Sequence, residues 1–370
     1  MVLEMLFDWE QRVAHMGMRD RMVSIKDVAA LAGVSDRTVS RVVNGEGLIR
    51  PKTKKKVQKA IETLGYVPNQ AARLMRTSRS NVLGLITDVV STTPFSTDIV
   101  RGIQDALDGT SYTLLTVNTS ADPAKEQRAW QVFREHGIGG VFYVTMFHRH
   151  VPRDTEFPST PTVLVNCSDP EQAIPSIVPD DYQGGLDAVR HLVERGHRKI
   201  AYVVLNELLL AADLRGRAFF DALATAGIEV RKEWVVPGRV GAIFADKLVA
   251  FENARRILNN PDRPTAIVCG NDEIALQVYC AATDLGLRVP DDVSIIGFDD
   301  FQVITTGIQP PLTTMALPYR DMGALAVRML LDIIAGHPQK KKHVEYRCEL
   351  VLRNSVSSPR LPGARSANST

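Results

Sequence analysis

Hydrophobic positions near the start of the chain recur at helical spacing, and beyond Val82 they gather into short continuous runs. Ile25, Val28, Ala29 and Ala32 form a narrow apolar stripe, with Ser24 as a cap and Asp27 three residues later. Gly33 breaks that stripe. Ser35 is placed to cap a second helix, in which Val39, Val42 and Val43 lie at i, i+3, i+4, and Asn44-Gly45 tolerates the left-handed geometry that ends it. Pro51 suits a first helical turn, Val57, Ile61 and Leu64 face inward at i, i+4, i+7, and Gly65 stops the third helix. Three helices in about forty residues make a small core, so the module gains order from a partner.

Pro68 then allows a short helix whose large apolar residues are Leu74 and Met75, followed by a joint rich in Ser, Thr, Arg and Asn that reads as a hinge or linker. From Val82 the runs "VLGLITDVV", "YTLLTVNT", "GGVFYVTM", "PTVLVNC", "RKIAYVVL", "TAIVCGND" and "VSIIGFDD" alternate with stretches long enough for crossover helices. This predicts doubly wound parallel sheets of α/β type, in two lobes with a boundary between Pro179 and Gly185. The expected organisation is an extension over 1–22, a helical head over 23–66, a hinge over 67–80, a two-lobed core over 81–354 and a disordered tail over 355–370.

Composition supports this division. A chain of 370 residues with 45% hydrophobic content is long enough for two or three cores, and no apolar run approaches bilayer length. The first 22 residues carry Glu4, Asp8 and Glu10 and lack a basic start and a small-residue cleavage site, so they are not read as a secretory signal. Met18 or Met22 is the expected true start, the preceding residues being a start artefact or a loose arm. Cys167, Cys269, Cys280 and Cys348 are far apart and unaccompanied by His at ligand spacing; they read as ordinary buried thiols of a cytoplasmic protein, with no metal and no cofactor. Charge is uneven: residues 21–80 hold thirteen Lys/Arg against four Asp/Glu, a net of +9, whereas the whole chain nets +2. A basic module on an acidic body implies that one part meets a polyanion and the other does not.

The second helix shows what meets it. Opposite its valines lie Asp36, Arg37, Ser40, Arg41 and Asn44, a face of hydrogen-bonding groups. Helix, turn at Gly33 and helix make a helix-turn-helix, which presents its second helix to the DNA major groove. Arg37 and Arg41, four apart, fall on one face and can each bind a guanine edge. Lys52, Lys54, Lys55, Lys56 and Lys59 are candidates for phosphate contacts, which add affinity without sequence information. No G-x-S-x-G elbow, P-loop or metal-spaced His pair points to an enzyme, and "HRH" at His148–His150 reads as a solvated loop.

The stretch "VSIKDVAALAGVSDRTVSRVVNGEGLIRPKTKKKVQKAIETLGYVPNQAARLM" closely resembles the DNA-binding head of the lactose/galactose repressor (LacI/GalR) family. The likeness continues through "HLVERGHRKIAYV", "CGNDEIAL", "DDVSIIGFDD" and "PPLTTM", covering roughly Val23 to Leu352. The resemblance implies a dimeric transcriptional regulator, more often a repressor than an activator, that binds a double-stranded, near-palindromic operator and answers to a small-molecule effector such as a sugar. It implies base reading by Asp36, Arg37, Ser40 and Arg41, and phosphate contacts from Ser35, Lys52, Lys54 and Lys55. Asp36 either accepts from a cytosine amino group, giving an altered operator, or caps the helix. Hinge residues Asn69, Ala72 and Met75 would meet the minor groove, Met75 either as a wedge between base pairs or packed on its dimer mate.

The two lobes resemble periplasmic sugar-binding proteins, a likeness that implies an effector in the cleft between them. Arg215, Asn271 and Asp299 are the implied hydroxyl binders, and Phe95 and Tyr319 the implied apolar wall. Asn271 and Asp299 also suit strand-end turns, where such residues satisfy backbone groups. Pro179 stands where many relatives have an aspartate, a role open to Asp180 or Asp181.

Overall fold

The computed structural model describes residues 23–43, 47, 49–66, 80–90, 97–151, 157, 159–339 and 341–360. The expected extension, the hinge residues Asn69, Ala72 and Met75, the helix end at Asn44-Gly45 and the wall residue Phe95 lie outside these. The chain forms two compact units, residues 1–79 and 80–370.

The first unit holds helices α1 (Ile25–Ala32), α2 (Asp36–Val43) and α3 (Pro51–Leu64). The Ser24 amide and hydroxyl both donate to Asp27 Oδ2, at 2.8 and 2.7 Å, so the capping pair read from sequence starts α1. Gly33 ends it in the left-handed region, φ 65°, its N–H donating to Ala29 and Ala30 carbonyls. Pro51 opens the first turn of α3 and Gly65 closes that helix at φ 59°. Val28, Ala29, Ala32, Val39 and Val57 are buried as the periodicity predicts, together with Ala60, while the predicted Ile25, Val42, Val43, Ile61 and Leu64 are partly buried against them.

The second unit is two α/β lobes. In lobe 1 the strands are β1 (Val82–Thr87), β2 (Thr113–Asn118), β3 (Val141–His150), β4 (Thr162–Ser168) and β5 (Ser176–Pro179), with helices α4 (Thr97–Leu107) and α5 (Pro123–Glu135). Lobe 2 begins with α6 (Asp181–Glu194), β6 (Ile200–Val204), α7 (Leu210–Thr225) and β7 (Val235–Pro237). A small hairpin, β8 (Arg239–Val240) and β9 (Lys247–Leu248), leads to α8 (Ala250–Leu258) and β10 (Ala266–Cys269). There follow α9 (Asp272–Asp284), β11 (Ser294–Asp299), α10 (Gln302–Thr305) and β12 (Thr313–Ala316).

The chain then returns to lobe 1 for α11 (Tyr319–Ile334) and β13 (His343–Tyr346), and crosses a third time to β14 (Glu349–Val351). Sheet order is β13-β5-β4-β3-β1-β2 in lobe 1 and β14-β12-β11-β10-β6-β7 in lobe 2, parallel except where β14 runs against β12. Each sheet has apolar clusters on both faces, which is why its strands read as continuous Val/Ile runs rather than alternating ones. The boundary expected at Pro179–Gly185 is the first crossing; the return of α11 and β13 left no signal in the sequence.

Three expectations are corrected. Residues 355–360 belong to lobe 2, not to a disordered tail: Ser355 is fully buried and its hydroxyl donates to the Ile295 carbonyl, while the Ser357 carbonyl meets His197 Nε2 at 2.7 Å. Polar atoms rather than apolar period hold this segment, so a hydrophobicity reading misses it. His148–His150 is the end of β3, and His148 is buried. Cys280 is exposed, unlike the other three cysteines, because it lies on the outer side of α9.

Candidate DNA-reading helix and inter-lobe cleft

In the head, α2 is capped by Ser35, whose carbonyl accepts from Val39 N at 3.1 Å and whose hydroxyl accepts from Thr38 N at 3.3 Å. Asp36 is therefore not the cap; it is the first helical residue, and it is exposed, as are Arg37 and Arg41. Ser40 is half-buried on the same side. The Arg41 guanidinium lies against Gly47, φ 73°, where any Cβ would collide with it. Lys52, Lys54, Lys55, Lys56 and Lys59 are all exposed on α3 while its Val57 and Ala60 are buried. This unit thus offers a polar face on α2 and a lysine-rich face on α3, each opposite the residues that its helix gives to the core.

In the second unit, strand carboxyl ends of both lobes converge where the chain crosses. Four of the five expected cleft residues are described, and all four line one cavity: Arg215 from α7, Asn271 after β10, Asp299 at the end of β11 and Tyr319 at the start of α11. Their roles differ from a set of free hydroxyl binders. The Asn271 side-chain Oδ1 accepts from Ile274 N at 2.9 Å and caps α9, so the strand-end turn reading holds for that atom and the side-chain NH2 is left to face a ligand. Asp299 has φ 124°, a conformation rare for a side-chain-bearing residue, and its carboxylate lies 3.8 Å from Arg215 Nη1. Burial raises its pKa well above the carboxylate range, more than the nearby Arg215 charge lowers it.

Arg215 is the centre of the site. Its Nε donates to Asp181 Oδ1 at 2.6 Å, its Nη1 donates to the Gly270 carbonyl at 2.5 Å, and its guanidinium stacks over Phe298 with 3.5 Å to the ring centroid. Asp181, fully buried at the first crossing, also bonds His148 Nδ1 of lobe 1 at 2.6 Å. Burial works against its charged form, but Arg215 and His148 prevail and hold its carboxyl below the usual range. Asp180 is occupied as the cap of α6, accepting from Gln183 N. Of the two acids offered as substitutes beside Pro179, Asp181 is the one that engages the cleft.

Sequence reasoning missed three contributors. Asn166, at φ 59° in β4, lines the cavity fully buried with its side chain beside Tyr319; its Nδ2 donates to the Thr145 and Met146 carbonyls, and its Oδ1 has no hydrogen-bond partner among the described residues. An Asn closing an otherwise apolar strand was the only signal. Phe147 of lobe 1 packs on Phe244 from the β8–β9 hairpin, centroids 5.7 Å apart, giving an aromatic contact between the lobes that two distant segments create. The hairpin is held by Asn206, which donates to the Gly241 carbonyl and Asp246.

The cavity between the lobes measures about 30 Å³, room for about one water. A ligand of sugar size enters only when the lobes stand further apart. Next to it, sharing Asp299, Leu317 and Tyr319, lies a cavity of about 500 Å³ lined by Asp98, Arg101, Arg320, Asp321, Arg347 and Glu349 among others.

Comparison with known proteins places these features together. Residues 24–69 match the bacterial regulatory proteins, lacI family, and residues 189–356 match the periplasmic binding protein-like domain. The chain is 33% identical over 337 residues to the HTH-type transcriptional repressor PurR of Mannheimia succiniciproducens, covering 90% of this chain and 99% of that one. It is also 33% identical to the sucrose operon repressor of Escherichia coli, over 90% of this chain and all of the relative. Among solved structures, that of the lac repressor dimer bound to operator and the anti-inducer ONPF superposes with a TM-score of 0.76 at 26% identity, over 91% of this chain and all of that one. These relatives are transcriptional repressors, not enzymes.

Proposed function

We propose, from the premise that this chain belongs to the lacI family of bacterial regulatory proteins, that it reads a pseudo-palindromic operator as a homodimer and is switched by a small molecule held between its lobes. The chain is a DNA-binding transcriptional repressor of this family with an effector-binding core. Its place of work is the cytoplasm, where its operator is; no helix among the described residues is long and apolar enough to cross a membrane.

Asp36, Arg37, Ser40 and Arg41 read base edges, with Ser35, Lys52, Lys54 and Lys55 on phosphates. Asn69, Ala72 and Met75 enter the minor groove, Met75 as the wedge. One head offers too few base contacts for selectivity, whereas two on a two-fold axis read both half-sites. The effector is a sugar or sugar derivative. Asn166 Oδ1 accepts from one hydroxyl, Arg215, Asn271 and Asp299 hold others, and Phe95, Phe147 and Tyr319 form the wall. A ligand that prefers one spacing of the lobes shifts the dimer between DNA-competent and incompetent forms by its difference in affinity for the two.

The observation that carries this reading is the fully buried Asn166 side-chain Oδ1, without a hydrogen-bond partner among the described residues, in a cavity that also receives Arg215, Asn271, Asp299 and Tyr319 from separate elements. Selection of the purified protein on a random duplex pool at moderate salt, then sequencing of the retained DNA, tests it. A near-palindrome whose retention changes with a sugar supports it; retention without any enriched motif overturns it.

A further inference from the structure

The Arg215–Asp181 pair has a consequence for which effectors the cleft accepts, one that rests on the cleft being the effector site. Among the described residues Arg215 is the only arginine or lysine lining the closed cavity, and its charge is already matched from behind by Asp181 at 2.6 Å. Asp299, 3.8 Å from the same guanidinium, adds a second carboxyl in front, one that burial keeps toward its neutral form.

In the neighbouring cavity of about 500 Å³ two of the three arginines have a carboxylate of their own. Of its arginines, Arg101 lies 2.8 Å from Asp98 and Arg320 lies 2.6 Å from Asp105, while Arg347, largely exposed, shares Asp187 at 3.9 Å with Arg190 at 3.0 Å. Asp321 and Glu349 line it as well. A phosphate or carboxylate brought into the closed cavity would give up its hydration beside a guanidinium whose charge is already matched, a loss that no surplus of attraction offsets.

We infer that Asp181 sets the charge selectivity of the cleft: by saturating Arg215 it makes the site one for uncharged polyols and closed to anions such as sugar phosphates and sugar acids. Arg215 then serves as an oriented donor to hydroxyls rather than as an anion anchor. His148, bonded to the other oxygen of Asp181, holds that carboxylate in place from lobe 1.

The test is calorimetric titration of the full chain, native and Asp181→Asn, with inorganic phosphate, glucose 6-phosphate and a panel of neutral mono- and disaccharides. The native protein is expected to bind at least one neutral sugar and neither anion. Asp181→Asn, which leaves Arg215 with an unmatched charge, is expected to gain at least about tenfold in affinity for glucose 6-phosphate, and Asp181→Asn/Arg215→Met to lose that gain. His148→Gln, which keeps the Asp181–Arg215 pair, is expected to go on refusing both anions. Native protein that binds glucose 6-phosphate as tightly as a neutral sugar overturns the inference even if Asp181→Asn does not fold, as does a folded Asp181→Asn that gains nothing. Native protein that binds no member of either set overturns the cleft as a sugar site together with the inference, so the two failures are distinct.

Discussion

Asp181 and Arg215, 34 positions apart, meet through a 2.6 Å hydrogen bond between Oδ1 and Nε, with both side chains buried. A carboxylate so placed is tolerable only while its partners remain. Arg215→Met keeps the apolar stem and leaves Asp181 with His148 alone. It is expected to cost about 3 to 5 kcal/mol of stability, read from the urea midpoint at constant m. A cost under about 1 kcal/mol would mean that Asp181 is neutral or hydrated in the native protein.

The head separates two kinds of contact. Arg37→Ala is expected to weaken binding to the selected operator by about 1 to 3 kcal/mol and relax preference at one base position. Lys54→Ala should instead weaken binding to all sequences alike and reduce the salt slope by about one. Fluorescence anisotropy across a salt series, on operator and scrambled duplexes, distinguishes them; identical profiles for the two variants would contradict base reading by Arg37.

Two glycines are required by close helix approach. A Cβ on Gly185 of α6 would lie 2.8 Å from the Ala218 Cβ and 3.2 Å from the Arg215 Cα, so Gly185→Ala pushes α7 outward and loosens the Arg215–Asp181 bond. On Gly323 of α11 it would meet the Ile99 carbonyl of α4, which as backbone cannot turn aside. Each substitution is expected to cost about 1 to 3 kcal/mol in thermal unfolding. At Gly33 a Cβ meets nothing within 4 Å and only its left-handed φ is strained, so Gly33→Ala should cost about 1 kcal/mol.

Two buried groups tilt stability with pH in opposite directions. Burial, and then the charge of Arg195, lowers the His191 pKa to about 4. Arg195 Nη1 lies 3.0 Å from its Nδ1, an arrangement that suits the unprotonated ring. Between about 4 and the ordinary histidine value the unfolded chain takes up a proton that the native protein refuses, so this contribution is lost as pH falls. Asp272 is raised to about 7 by burial, against lowering hydrogen bonds from Thr314 and the Phe301 amide, and its contribution is lost as pH rises toward 7. Stability measured from pH 4.5 to 7 should therefore slope more steeply downward with pH in His191→Gln than in the native protein, and more steeply upward in Asp272→Asn. Unchanged slopes in both would contradict these assignments.

What the sequence determined by itself is local or periodic. Ser24 and Asp27, Gly33, Pro51 and Gly65 act within a few residues of themselves, and the spacing of Val28, Val39 and Val57 follows from helix geometry. The Val/Ile runs likewise dictate strands buried on both faces, hence two parallel lobes. What only the tertiary structure decided is how three crossings bring together residues distant in sequence. His148 meets Asp181 across 33 positions and His197 meets the Ser357 carbonyl across 160, pairings that no local pattern records. The crossings choose Asp181 over Asp180 for the cleft, turn the Asn271 side-chain Oδ1 to capping, and place Asn166 beside Tyr319. Hydrophobic period reports which face of an element is buried; it carries no information on which buried polar group will find which partner, because that depends on the path of the chain between lobes.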